Sequence, residues 1–205
     1  SLSASKWSES LQGIVGKLAL NTPLDLEDGV VLFNHPDLHE LGALANAVRD
    51  ARFGRQAFFN SNVHINQTNI CVLACRFCAF RRGPKADDAY AMSVDEYVAD
   101  LAQYAHAVDE VHSVGGLHPE WGVEHYESLF RRVSDEHPHV SIKALTAVEI
   151  KHLAQRSSIS TLDVLKRLRQ AGLMSLPGGG AEILDDEVRA VICNGKESSE
   201  EYIQI

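Results

Sequence analysis

The sequence lacks an excess of positive charge and any long apolar run. A net charge of −9 disfavours a nucleic-acid or anionic-membrane surface, since either would require a basic face. No run approaches the roughly 18 apolar residues of a membrane span, and the chain does not open with the pattern of a secretory signal peptide. The few cysteines, four in 205 residues, fit a reducing compartment if they are unpaired. We therefore expect a soluble, cytoplasmic protein with a small-molecule partner, binding neither nucleic acid nor membrane.

Three of the four cysteines lie close together in residues 69–80. Cys71, Cys75 and Cys78 have the spacing C-x₃-C-x₂-C. A thiolate is a soft, anionic ligand, and three on one loop favour a metal centre over a structural core. A [4Fe–4S] cluster is normally held by four thiolates, one per iron, so three would leave one iron free to bind a substrate or cofactor.

Other interpretations of this loop stay open. A disulfide with a spare thiol would suit a secreted protein. A zinc ion held by the three cysteines and His64 or His112 is chemically possible. Structural zinc sites usually contain paired knuckles, however, and the sequence has no second one. Cys193 lies far away in a helical pattern and is expected to be a buried, inert thiol.

The periodicity of apolar residues predicts three segments. Residues 1–56 are expected to form a helical segment, and residues 57–193 are expected to alternate strands with helices. Residues 194–205 are expected to form a tail, because they show no strand pattern. The strands are predicted at 58–66, 108–114, 140–145 and 173–176. Helices are predicted to begin at or just after Asp37, Ser93, Val123, Thr146, Ser160 and Asp185. In the last two helices the residues expected inward are Leu162, Leu165 and Leu168, and then Val188, Val191 and Ile192.

This alternation predicts the fold class. Strands and helices alternating at about 30–35 residues per unit indicate an α/β protein with a parallel sheet and right-handed crossovers. Four βα units are visible, whereas a closed barrel needs more. We therefore expect a partial barrel preceded by helices, or a piece of a longer chain, and the start at Ser1 rather than Met favours trimming.

An unusual motif follows each predicted strand, at the end where β/α folds place their active sites. After the cysteine loop come Gly115-Gly116-Leu117-His118-Pro119, then 143–149, then Pro177-Gly178-Gly179-Gly180-Ala181-Glu182. Adjacent glycines let the backbone approach a ligand closely. We expect Gly178, Gly179 and Gly180 to line a small-molecule site.

Four further polar side chains lie in or near these motifs. Glu182 is a candidate for ribose hydroxyls, and His118 is a candidate substrate contact. Lys143 interrupts an apolar strand; if it points inward, a substrate carboxylate would provide the partner that a buried ammonium needs. Glu149 is expected to complete a helix capping box. Plain surface positions are expected for His106, His125, His137 and His139.

Together these motifs resemble the radical S-adenosylmethionine (SAM) enzymes and, among them, the aminofutalosine synthase family of the futalosine route to menaquinone. The resemblance covers the chain to about Cys193. The stretches that carry it are 64–69, 77–80, 114–119, 142–150 and 175–183. The dehypoxanthine-futalosine cyclase and the deazaflavin (FO) synthase share the glycine motif, whereas Lys143-Ala144-Leu145-Thr146-Ala147-Val148-Glu149-Ile150 looks like the synthase.

The resemblance implies a radical SAM partial TIM barrel and a site. Cys71, Cys75 and Cys78 would hold a [4Fe–4S] cluster whose open iron takes SAM. Gly115 and Gly116 would receive the amino group of SAM, and the neighbourhood of Phe77 would contact its adenine; no catalytic residue is assigned.

The resemblance also implies a transferase reaction. A 5′-deoxyadenosyl radical would add to 3-[(1-carboxyvinyl)oxy]benzoate, giving aminofutalosine, with flavodoxin or ferredoxin as a possible class of electron donor. The alternatives are a radical SAM cyclase of the same pathway and a truncated, non-catalytic metal-binding module.

Overall fold

A computed structural model describes Ser3 and residues 6–205 of the chain. The chain divides into two compact units, with the boundary between Phe59 and Asn60. None of the described helices has the length and apolarity that crossing a bilayer requires.

In its described residues the first unit has the α-helices α1 (Glu9–Ala19), α2 (Leu26–Phe33) and α3 (Leu38–Phe53). Helices α1 and α3 lie where the sequence predicts helices. Helix α2 was not predicted, although Asp25 and Asp28 form a reciprocal capping box at its start. A small apolar cluster buries Leu11, Ile14, Val15 and Leu44.

The second unit is built on a parallel sheet in the order β1-β2-β3-β4. Its strands are β1 (Asn62–His64), β2 (Glu110–Ser113), β3 (Ser141–Ala144) and β4 (Leu173–Ser175). This arrangement confirms the predicted α/β class. Strand β1 is shorter than predicted at both ends, since residues 58–61 precede it without joining the sheet. Beyond its carboxyl end the chain leaves the sheet: the amide of Met92 donates to the carbonyl of Gln67, and Thr68 bridges to Ala91.

Six helices and a 3₁₀ turn (Ala105–Ala107) connect and follow the strands. The helices are α4 (Val94–Ala102), α5 (Val123–Glu136), α6 (Ala147–Ser157), α7 (Thr161–Gln170), α8 (Asp186–Ile192) and α9 (Ser199–Gln204). Ser93 and Glu96 form the predicted capping box of α4, and Asp185 accepts a hydrogen bond from the amide of Val188 at the start of α8.

The apolar faces of the last predicted helices differ from expectation. In α7, Leu162 is 58% exposed whereas Val164 and Leu168 are fully buried, so the inward placement of Leu162 was wrong. In α8, Val188 and Val191 are 40% and 53% exposed. The buried residue of that helix is Arg189, because its guanidinium donates to backbone carbonyls of the flanking segments.

The two faces of the sheet are chemically different. The apolar core lies on the face that the helices cover, and it contains the strand residues Val63, Val111, Ile142 and Leu173. Since side chains alternate along a strand, the residues between these positions point to the other face. The carboxyl ends of all four strands meet at one edge, which therefore gathers the motifs that follow the strands.

The burial difference within α7 makes a matched test of the core. Leu168→Ala should lower the free energy of unfolding by about 2–5 kcal/mol, because it leaves a cavity among packed side chains. Leu162→Ala on the same helix should change it by less than about 0.5 kcal/mol. Urea denaturation followed by circular dichroism measures both, and equal losses would contradict this packing.

Candidate functional site

A cavity of about 430 Å³ lies at the carboxyl edge of the sheet. All of the loops that follow the strands contribute to its wall, and residue 196 of the C-terminal segment completes it. Of the residues predicted for the site, those that line this cavity are Cys71, Cys75, Cys78, Phe77, Gly115, Gly180 and Glu182. Residues from distant parts of the sequence therefore share one concave surface.

The three cysteines are partly exposed and face this cavity. Their loop is shaped by backbone hydrogen bonds, with the amide of Cys71 donating to the carbonyl of Arg82 at 3.1 Å. The guanidinium of Arg82 in turn donates to the carbonyls of Ala79 and Phe80 at 2.8 and 3.2 Å. Arg82 thus holds the loop in place, a role that its sequence position did not reveal.

The donor set fits an iron–sulfur cluster better than a single metal ion. Within the described part of the chain, no three Cys, His, Asp or Glu side chains converge closely enough to hold one ion. His64 and His112 stack on each other and do not line the cavity. A tetrahedral zinc would draw its thiolates to about 2.3 Å from one point, whereas a cluster takes one thiolate per iron.

Electrostatics at the loop are set by burial and one cation. Burial raises the pKa of the Cys75 thiol, and Lys196 opposes this rise. Since a metal binds the thiolate, loading the site must release a proton there.

The double glycine is required for the loop to lie against β2. The amide of Gly116 donates to the carbonyl of Thr68 at 2.9 Å. A Cβ at Gly116 would lie 2.1 Å from the carbonyl oxygen of Ile70. A Cβ at Gly115 would lie 2.6 Å from the side-chain nitrogen of Gln67. Gly115 faces the cavity, while Gly116 packs behind the cysteine loop.

Glu149 has a larger part in the site than the sequence indicated. Its Oε1 accepts a hydrogen bond from the Gly115 amide at 3.0 Å, and its Oε2 accepts one from the Thr146 hydroxyl at 2.9 Å. Its amide reaches the Thr146 hydroxyl at 3.4 Å, as a cap would. The carboxyl lines the cavity, and burial raises its pKa to about 7. The only sequence signal was the Thr-x-x-Glu spacing, which an ordinary cap also has.

Glu182 is paired with a cation that the sequence analysis assigned no role. The Nζ of Lys196 lies 2.8 and 2.9 Å from the two carboxylate oxygens of Glu182. It also lies 5.7 Å from the centroid of the Phe77 ring. Lys196 was missed because it belongs to the segment treated as a tail, where no pattern distinguishes it.

The structure brings other predicted residues to different places. His118 stacks on Trp121 with a centroid distance of 4.3 Å and does not line the cavity, and neither do Gly178 and Gly179. Lys143 lies on the face of the sheet opposite the apolar core, 4.0 Å from Glu110.

His125 was expected to be a plain surface residue, and that was wrong. It stacks on Trp121 with a centroid distance of 3.8 Å. Burial lowers its pKa to about 4, so the imidazole is neutral at ordinary pH.

Comparison with known proteins gives the family. The model of the radical SAM superfamily matches residues 65–205, more than half of the chain. The chain belongs to the radical SAM superfamily. Members of this superfamily use a [4Fe–4S] cluster with SAM as co-substrate. The radical SAM family predicted from the cysteine and glycine motifs is therefore confirmed.

The chain is similar to several enzymes over almost its whole length. It is 38% identical over 193 residues to aminodeoxyfutalosine synthase of Thermus thermophilus, covering 94% of this chain and 52% of that one. It is 34% identical over 200 residues to cyclic dehypoxanthine futalosine synthase of Streptomyces coelicolor, covering 95% of this chain and 50% of that one. The chain thus spans about half the length of these relatives.

A solved structure supports the fold of this radical SAM chain. The crystal structure of methylornithine synthase superposes with a TM-score of 0.65 at 19% identity. The match covers 92% of this chain and 53% of that chain. At this identity the likeness concerns the fold, which is the partial barrel that the sequence predicted.

The glycine contact provides a test of the cluster site. Gly116→Ala should sharply reduce the iron and sulfide that the chain takes up in anaerobic reconstitution, because the new methyl group displaces the cysteine loop. Gly178→Ala is the control, since nothing lies within 4 Å of the Cβ it adds. Iron uptake by the Gly116 variant equal to that of the control would contradict the close contact.

Glu149 provides a test in the pH dependence of stability. Its native pKa of about 7 lies above the ordinary value of 4.5 for a glutamate, so the native state holds a proton that the unfolded chain releases. This contribution to stability is complete below pH 4.5 and is lost as the pH rises through 7. Glu149→Gln, which keeps a neutral group, should therefore gain about 2–3 kcal/mol relative to the unmodified protein between pH 5 and 8.

The control for this measurement is Glu187→Gln, which removes an exposed carboxylate from α8. Urea unfolding at several pH values should give this variant the same pH profile as the unmodified protein. A Glu149→Gln profile parallel to both would show that the buried carboxyl does not titrate in this window.

Proposed function

We propose that this chain carries the cluster and SAM site of an aminofutalosine synthase. The 5′-deoxyadenosyl radical of SAM would add to the enol-ether double bond of 3-[(1-carboxyvinyl)oxy]benzoate, and rearrangement with loss of one carboxylate as bicarbonate would give aminofutalosine for menaquinone biosynthesis. The observation that carries the proposal is the cavity that joins three cysteines to Gly115 and Glu182. The 38% identity to the Thermus thermophilus synthase supports this choice of reaction.

Cys71, Cys75 and Cys78 are proposed as the ligands of the cluster. When bound, a [4Fe–4S] cluster supplies the electron that cleaves SAM. The residues of the chain shape the site in which SAM would bind. The apolar side chains of Leu73, Phe80 and Val148 line the cavity and limit the access of water.

The proposed SAM contacts come from three loops. Gly115 receives the amino group at the cavity wall, with the Glu149 carboxyl fixing its amide, and Gly116 lets the cysteine loop pack directly behind it. The half-exposed ring of Phe77 offers an apolar surface to the adenine. Glu182 receives the ribose hydroxyls, and Lys196 holds its carboxylate in place through two short contacts.

The substrate contacts are proposed around this cavity. The substrate has two carboxylates, which cationic side chains would bind, and Lys143 is proposed as one of these cations. His118 and the loop of Gly178, Gly179 and Gly180 are proposed as further substrate contacts, of which Gly180 reaches the cavity.

The proposed partners follow from the chemistry. One-electron cleavage of SAM needs a small redox protein such as flavodoxin or ferredoxin as donor. Unpaired cysteines that serve as metal ligands are suited to a reducing compartment, so we propose the cytoplasm as the place of action.

A second candidate is a hydrogen-abstracting cyclase of the same pathway. It is kept because the chain is also 34% identical to the Streptomyces coelicolor cyclic dehypoxanthine futalosine synthase, although the identity to the Thermus thermophilus synthase is higher, at 38%. A third is a metal-binding module without catalysis, since the chain spans about half of these relatives.

The test is anaerobic reconstitution followed by product analysis. The loaded 205-residue chain is incubated with SAM, a reductant and 3-[(1-carboxyvinyl)oxy]benzoate. We expect an adduct that contains the deoxyadenosyl group, detected by mass spectrometry. Cys75→Ser should abolish both iron loading and product, whereas Cys193→Ser should keep them, because Cys193 is buried outside the cavity.

The outcomes separate the three candidates. Free 5′-deoxyadenosine with dehypoxanthine futalosine as substrate, and no adduct with the enol ether, would favour the cyclase. A chain that takes up no iron or sulfide but binds one zinc ion tightly would contradict both enzyme proposals.

A further inference from the structure

Three side chains that can carry positive charge lie side by side on the face of the sheet opposite the apolar core. His64, His112 and Lys143 are in register on β1, β2 and β3. We call these three residues the His–Lys row. Their strand neighbours Val63, Val111 and Ile142 point into the apolar core, so the row points away from the helices.

The row is organised by direct contacts. The rings of His64 and His112 stack with a centroid distance of 4.8 Å and an interplanar angle of 27°. Lys143 Nζ lies 4.0 Å from Oε1 of Glu110, on the same face. That oxygen is buried and has no hydrogen-bond partner among the described residues. Glu110 therefore holds Lys143 by charge, leaving its three ammonium protons free for another acceptor.

The three side chains of the row face one carboxylate, that of Glu110. Burial lowers the pKa of His112, and His64 and Lys143 lower it further, while Glu110 acts in the opposite direction. An added carboxylate would stabilise the protonated imidazole. In the ligand-free chain Lys143 is therefore the permanent cation of the row, and the imidazole of His112 is a group that a bound carboxylate would help to protonate.

The row lies next to the cluster cavity. Two residues beyond His64 and His112 along the chain come Asn66 and Val114, which both line that cavity. At about 3.3 Å per residue, this step is about 7 Å. One small molecule can therefore touch the row with one end and enter the cavity with the other.

We propose that the His–Lys row is the subsite that binds the ring carboxylate of an arenecarboxylate substrate. Lys143 and His112 pair with the carboxylate, the exposed ring of His64 packs against the arene, and Glu110 positions Lys143. This inference rests on the proposed function, which supplies the arenecarboxylate and the carboxylate-binding role of Lys143. Its own content is that His64, His112 and Glu110 belong to the same subsite.

The side chains of the row are chemically suited to bind an aromatic carboxylate in preference to other ligands. Three aligned donors with an adjacent aromatic surface match a planar, ring-bound anion. A metal ion is a poorer match, because within the described residues no three suitable side chains converge on one point.

The test is a binding measurement on the chain without cluster or SAM. Benzene-1,3-dicarboxylate is titrated by calorimetry, and inorganic phosphate and the neutral dimethyl ester serve as comparison ligands. We expect the dicarboxylate to bind more tightly than either. Lys143→Met and His112→Gln should each weaken it by about tenfold, the loss of one charge-assisted hydrogen bond.

Two matched controls remove the same charges elsewhere. Lys166→Met and His106→Gln change exposed residues on α7 and the 3₁₀ turn, and both should leave the affinity unchanged. Equal weakening in the controls, or equal affinity for phosphate, would overturn the subsite. A structural role alone is separated by NMR titration of the imidazoles: binding should raise the pKa of His112, whose facing charged groups are His64, Lys143 and Glu110.

The two proposals fail in different ways. A chain that binds the dicarboxylate through the row but cleaves no SAM after reconstitution would keep the subsite and remove the proposed function. A chain that cleaves SAM but binds the dicarboxylate equally well in all four variants would keep the enzyme and remove the subsite.

Discussion

The site depends on one backbone contact, in which the cysteine loop lies against the end of β2 with no room for a side chain between them. Gly116 donates to Thr68, the amide of Val72 donates to the carbonyl of Leu117 at 3.0 Å, and a Cβ at Gly116 would overlap the carbonyl of Ile70. Since β1 and β2 are neighbours in a parallel sheet, this contact places the cysteine loop beside Gly115. Cluster ligands and proposed SAM contacts thereby share one cavity, although they are far apart in sequence.

Polar groups at the other strand ends reinforce this arrangement. The Glu149 carboxyl binds the amide of Gly115 from the side of β3, and Lys196 binds Glu182 beyond β4. Leu145 and Glu182 adopt left-handed backbone angles, with φ of 65° and 52°, which cost energy for residues with a side chain. Such strain persists where surrounding contacts enforce it and is concentrated at functional sites. The geometry of the cavity is therefore built into the fold before any ligand binds.

The sequence predicted well what depends on local patterns. The parallel α/β sheet, the Ser93 capping box and the clustering of the Cys71–Cys78 loop with Gly115 and Glu182 all follow from periodicity, caps and strand-end topology. The sequence patterns did not predict the features that depend on tertiary contacts. Arg189 is buried in place of Val188 because backbone carbonyls of the segments on either side of α8 accept its hydrogen bonds, and Lys196 contacts Glu182 from beyond the same helix. His125 is half-buried and stacks on Trp121, a contact that no periodicity reveals.

The central claim is that the three-cysteine loop leaves one iron of a [4Fe–4S] cluster open to SAM. Electron paramagnetic resonance of the reconstituted, reduced chain tests it most directly, with spectra recorded before and after adding SAM. The account predicts a [4Fe–4S]⁺ signal whose g-values shift when SAM binds the open iron, and a smaller shift in a Gly115→Val variant, whose side chain crowds Gln67 at the cavity wall. A cluster signal that SAM leaves unchanged in the unmodified chain would contradict the claim.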